Sequence, residues 1–169
     1  MIFSILAFIF LFISICTKDR KKSLYIQSLN CFFESIYDFI VNAYTGAILS
    51  IINFIRTIFF VNKERFTKNS YLALLFIFEF IIIINCIFTW QGYISLLPTI
   101  GSMIRVYCLW QTNMKLVRIS GLTTGILYGS YYLYYQGWFL VLGDILLFII
   151  SLCSIYRYDI KKEKKLRNR

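Results

Sequence analysis

Seven stretches nearly free of charge, joined by connections that are alternately basic and uncharged, constrain this chain more than any other feature. The stretches are Met1–Cys16, Tyr25–Ala43, Ala47–Val61, Tyr71–Thr89, Ile94–Leu109, Ile119–Tyr134 and Trp138–Tyr156. A helix needs about 20 apolar residues to span the hydrocarbon of a bilayer, fewer where flanking residues reach the interface. No soluble core accounts for seven such runs in 169 residues. Hydrophobic residues make up 59% of the chain and charged ones 15%, a departure from soluble averages in the same direction. These features predict an all-α integral membrane bundle of seven transmembrane helices.

The net charge of +10 invites a nucleic-acid reading, but the location of the charge argues against it. Lys18, Arg20, Lys21 and Lys22 follow the first run, and Lys63, Arg65 and Lys68 follow the third. Lys115 and Arg118 follow the fifth, and seven more basic residues from Arg157 to Arg169 follow the seventh. Sixteen of the 18 basic residues therefore occupy every second connection, while those around Tyr44-Thr45-Gly46, Trp90–Tyr93 and Tyr135-Gln136-Gly137 carry none. This is the positive-inside pattern, with the N-terminus outside and the basic tail in the cytoplasm. The expected partner is the lipid bilayer, not nucleic acid. Met1–Cys16 lacks a positive n-region and a small-residue cleavage site, so it reads as a retained first helix rather than a signal peptide.

The chain contains no histidine, which removes His-ligated haem, His-containing zinc sites and Ser-His or Cys-His catalytic pairs. Its five cysteines form no Cys-x-x-Cys pair and read as small buried hydrophobes. No cofactor, no metal and no enzyme chemistry are expected.

Sliding the chain by 91 residues lays Tyr44-Thr45-Gly46 over Tyr135-Gln136-Gly137 and Asn53 over Asp144. The expected layout is two three-helix units, residues 1–62 and 93–157, joined by a basic loop and linker helix at 63–92 and ending in a basic tail, 158–169. One intervening span makes the units run in the same direction, related by an axis along the membrane normal.

The segments Ala43–Ala47, Asn53–Thr57 and Leu96–Gly101, the last followed by Trp110 and a basic loop, resemble the YgjV family of bacterial inner-membrane proteins. The resemblance spans most of residues 24–158 and implies residence in the inner membrane without naming an activity. The three-one-three layout is more remotely similar to the SWEET and PQ-loop carriers, which place a proline in the first helix of each unit. Pro98 satisfies this in the second unit; the first run has no proline, and the chain has no Pro-Gln dipeptide.

Ionisable groups at membrane depth are costly and face the bundle interior, so each is a functional candidate. Glu34 and Arg56 lie ten residues from the Tyr44/Gly46 turn, and Arg105 and Glu79 fall at similar depth. They are read either as buried ion pairs, Glu34–Arg56 and Glu79–Arg105, that fix register, or as part of a polar layer that binds a small polar solute. Asn53, Asp144 and Asp38 are the proposed substrate ligands. Asp38 lies four residues from Glu34 and shares its helix face. The resemblance to SWEET-like carriers implies an asparagine on the third helix of each unit, and here one of the two positions is an aspartate. Gly121, Gly125 and Gly129 form a stripe that packs within the bundle or against a second protomer in a homo-oligomer. Tyr131, Tyr132, Tyr134, Tyr135 and Trp138 crowd one outer turn as interface anchors. The leading function is small-molecule transport by rocking of the two units. The rival is a non-transporting sensor or assembly scaffold.

Overall fold

In hydrocarbon every backbone polar group has to be satisfied within its own segment, which leaves an apolar run of this length little choice but a helix. The structure, a computed structural model, describes residues 2–17, 20–61, 68–111 and 114–156, and among these there are seven α-helices and no strand. They are α1 Ile2–Cys16, α2 Arg20–Ile40, α3 Tyr44–Val61, α4 Lys68–Phe88, α5 Leu96–Gln111, α6 Met114–Tyr134 and α7 Trp138–Ile155. Among the described residues, helices α2, α4 and α6 already include the three to five residues ahead of their apolar runs (from 20 against 25, 68 against 71, 114 against 119). Arg, Lys and Met are good helix formers, so the helix continues from the apolar span into its basic flank. The tail at 158–169 and the basic residues Lys18, Lys63 and Arg65 lie outside the described residues.

The burial pattern is inverted relative to a soluble protein. Asp38, Thr45, Ser50 and Ser102 are fully buried, while Phe76, Phe80, Ile87 and Phe88 on α4 are among the most exposed side chains. Two helices, Tyr44–Val61 and Trp138–Ile155, are both long and apolar enough to cross a membrane by themselves, and Ile2–Ser14 and Leu72–Phe88 are shorter apolar helices.

A regularity of 94 residues runs through the fold. Helix α6 ends at 134 and α7 begins at 138, each 94 residues after the end of α2 at 40 and the start of α3 at 44. The turns agree atom for atom. Ala43 N–H donates to the Asp38 carbonyl and Gly137 N–H to that of Tyr132, both at 2.8 Å. Asn42 N–H donates to Phe39 O and Gln136 N–H to Leu133 O, both at 3.2 Å. With Asn42 at φ 60° and Gln136 at φ 56°, each is a Schellman cap closed by a left-handed residue.

This register replaces the 91-residue one read from the two Tyr-x-Gly tripeptides. Gly46 is the third residue of α3, whereas Gly137 precedes α7, so the two glycines occupy different places. The partner of Asn53 is Leu147 and that of Asp144 is Ser50.

Helix contacts respect the same exchange. Helix α2 packs on α1 and α3 as α6 does on α5 and α7, and the crossed contacts α1·α7 and α3·α5 change places. Helix α4 packs against α3 and α5, with Leu75, Phe78 and Ile82 joining Leu49, Ile52 and Val106 in one apolar cluster. The three uncharged connections meet at one end, where Gln91 Nε2 donates to Asn42 O (2.7 Å) and Tyr135 OH donates to Gln91 Oε1 (3.2 Å). Pro98 is buried in the first turn of α5, where a missing N–H costs no intrahelical bond, so it opens the helix rather than kinking it.

Candidate functional site

Helix α2 carries polar residues at helical spacing, Gln27, Asn30, Glu34 and Asp38, which places them on one face. The first three, with Cys31, form one wall of a cavity inside the bundle. Asn53, Arg56 and Thr57 close it from α3, Thr124 and Tyr128 from α6, and Arg105 and Asp144 from α5 and α7. Leu11 and Leu147 supply the apolar remainder. The space open to water centres is about 30 Å³, room for roughly two waters.

Eight of these residues fall into four pairs under the 94-residue exchange: Leu11 with Arg105, Asn30 with Thr124, Glu34 with Tyr128, and Asn53 with Leu147. The cavity therefore draws the same helix positions from α1–α3 and α5–α7. The pairs differ in chemistry. The acid and the amide of one half face a phenol and an aliphatic chain in the other, and a leucine answers the arginine.

Several lining groups have donors or acceptors to spare. Asn53 Nδ2 donates to the Tyr128 hydroxyl (3.3 Å), which is also bonded to Ser102 Oγ, while Asn53 Oδ1 has no partner. Arg56 is 2% exposed, and its Nε and Nη1 have no hydrogen-bond partner. Asp144 Oδ2 is likewise unpartnered. Buried polar groups are rarely left in this condition.

The ion pairs expected from depth are not formed among the described residues. Glu34 interacts electrostatically with Arg105 and not with Arg56, whose charged neighbours are Arg105 and Glu79. Equal depth fixes the level of a residue but not the direction it faces around its helix. Glu79, on α4, lies outside the cavity lining with Oε2 unpartnered.

Asp38 also lies outside the lining, one turn nearer the uncharged end, and is fully buried. Its Oδ2 accepts from Tyr132 OH at 3.2 Å. Asp38 and Tyr132 are partners under the 94-residue exchange, and two equivalent residues that touch mark the line about which the halves are exchanged. The neighbouring tyrosines act reciprocally. Tyr131 OH accepts from Gly46 N–H (3.0 Å) at the start of α3, and the Tyr37 ring lies over Gly137 at the start of α7.

The glycine stripe faces α7. A Cβ at Gly125 would meet the Asp144 carbonyl at 3.0 Å, one at Gly121 would strike Ser151 Oγ, and one at Gly129 would sit 3.6 Å from Asp144 Cβ. Gln27, Asn30 and Tyr128 are lining residues that charge and depth did not single out. The polar periodicity of α2 identifies the first two, and no sequence signal distinguishes Tyr128 from the other tyrosines of α6.

Comparison with known proteins places the chain by family. A family model described as Imp-YgjV, bacterial inner membrane protein, matches residues 1–162. No curated protein and no solved structure matches the chain.

Proposed function

This chain belongs to the Imp-YgjV family of bacterial inner membrane proteins, and from that premise we propose that it carries a small polar solute by alternating access. In this reading all seven helices cross the membrane, and α1–α3 and α5–α7 are parallel repeats about an axis along the membrane normal, with α4 as linker. The N-terminus lies outside and the basic tail in the cytoplasm. The observation that carries the proposal is the cavity lined by four exchange-related residue pairs at mid-bundle. A site shared by two halves is reached from one side or the other as the halves rock, the mechanism of repeat-built transporters.

The competing reading is a scaffold or sensor whose internal charges serve only to hold register. Such a core would satisfy its polar groups with one another. The unpartnered atoms of Arg56, Asn53 and Asp144 favour the transporter.

The test is a thermal-shift screen of the purified, detergent-solubilised protein against sugars, nucleosides, amino acids, amines and vitamins, beside an Asn53→Ala, Asp144→Ala double variant. A ligand at 100 times its dissociation constant stabilises the state it binds by about 2.7 kcal/mol. At least one solute is expected to raise the midpoint of the native protein and leave that of the variant unchanged. No response in a folded native protein, or an equal response in both, would turn the assignment towards the scaffold.

A further inference from the structure

Two of the chain's 18 basic residues lie outside the basic connections and tail, and both are in the cavity: Arg56 from α3 and Arg105 from α5. Two acids, Glu34 from α2 and Asp144 from α7, line the same cavity. The lining is therefore neutral in sum but built of four charges, and none of the four is joined to another by an ion pair among the described residues.

The charges are also sorted by level. Glu34 lies six residues from the end of α2 at Ile40, and Asp144 six from the start of α7 at Trp138. Both ends are at the uncharged face of the bundle. Arg105 lies nine residues into α5, and Arg56 twelve residues into α3. At 1.5 Å per residue the acids sit roughly 9 Å from that face and the arginines roughly 14 to 18 Å. An acidic layer and a basic layer therefore face each other across roughly 5 to 9 Å of helix axis, with Asn53, nine residues into α3, level with Arg105.

Arg56 decides what this arrangement suits. A guanidinium that is 2% exposed, with charged neighbours of both signs in Arg105 and Glu79 but with Nε and Nη1 unpartnered, has donors to spare in a buried place. Its planar fork matches a carboxylate, which two parallel N–H···O bonds would hold. At the other layer Asp144 Oδ2 is an acceptor without a donor, the complement of an ammonium or a hydroxyl.

We propose that the cavity binds a small zwitterion of amino-acid type, its carboxylate on Arg56 and Arg105 and its ammonium on Asp144 and Glu34. The proposal rests on the transporter reading and names its substrate class. A net-neutral ligand with separated poles leaves neither layer unbalanced, whereas a monoanion or monocation would satisfy one and strand the other. The present cavity accepts roughly two waters, so the zwitterion enters when the halves part at α1·α7 and α3·α5.

The experiment uses the full-length purified protein in detergent. Glycine, L-serine and L-glutamine are each compared with their methyl esters, which keep only the ammonium, and their N-acetyl forms, which keep only the carboxylate. Glucose serves as the neutral solute. A free amino acid is expected to shift the melting midpoint, with both capped forms weaker by about 10- to 100-fold in apparent affinity, the loss expected for a charge-assisted contact. Arg56→Gln and Arg105→Gln should each abolish the shift, whereas Gln111→Ala, outside the lining with its amide bonded only to the exposed Tyr107 hydroxyl, should preserve it. The unliganded midpoint reports whether each variant is folded. A shift with glucose or equally with the capped forms, or no shift with any free amino acid, overturns the zwitterion assignment. The transporter reading stands or falls separately on whether the cavity opens to both sides of the membrane.

Discussion

Valine in place of Gly46 lowers the stability of the bundle by about 3 kcal/mol, at the upper end of the usual cost of overpacking. A Cβ at this position would stand 2.8 Å from Asp38 Oδ2 and 2.8 Å from the ring and hydroxyl of Tyr131. Both neighbours are fully buried, so neither has solvent to swing into. The Gly46 N–H also donates to Tyr131 OH, and displacing the ring removes that bond. The damage falls where equivalent elements of the two halves meet. Gly129→Ala is the control, because its Cβ would make an ordinary 3.6 Å contact with Asp144 Cβ. Alanine is the better helix former by about 1 kcal/mol. Thermal unfolding in detergent should show a clear fall for the first and none for the second. An unchanged midpoint for Gly46→Val would mean that the close approach of Tyr131 and Asp38 is not a feature of the folded protein.

Methionine in place of Arg56 has the opposite sign. Replacing a buried guanidinium whose Nε and Nη1 lack hydrogen-bond partners by an apolar chain of similar volume removes a desolvation cost of several kcal/mol. Relief of the repulsion from Arg105 adds to the gain, and loss of the attraction to Glu79 offsets part of it. The variant is expected to melt at a higher temperature than the native protein and to lose its response to ligand. A residue retained at a cost to stability identifies a functional position. If Arg56→Met instead melts lower, the guanidinium stabilises the core and the reading of an unbalanced cation is wrong.

The positions of the helices were readable because the apolar runs are long and the charge between them marks their ends. Sequence alone misplaces the register of the likeness between the α2–α3 and α6–α7 turns. Tyr44-Thr45-Gly46 looks like Tyr135-Gln136-Gly137, but the left-handed turn positions are taken by Asn42 and Gln136. Glycine signals a turn only when the backbone needs it there, and at Gly46 it is the approach of Tyr131 that needs it. Likewise Asn53 and Asp144 both reach the cavity, though they are not each other's counterparts. Depth located the charged layer, yet depth alone paired Glu34 with Arg56, because a sequence does not give the angle at which one helix faces another. The contact between Asp38 and Tyr132 was hidden by chemistry, since nothing in a carboxylate announces a phenol as its counterpart.

The central claim is that the cavity opens alternately to the two sides of the membrane, and Cys31 provides a probe already in place. It lines the cavity and is 7% exposed in this conformation. In a variant with Cys16, Cys86, Cys108 and Cys153 replaced by alanine, Cys31 is the sole thiol. A small membrane-impermeant methanethiosulfonate is applied to right-side-out and to inside-out vesicles, with Gln136→Cys in the cysteine-free chain as the outer-face control. The account predicts modification of Cys31 from both faces, each slowed by a ligand that stabilises the protein. Modification from one face only, or from neither while the control reacts, would contradict it.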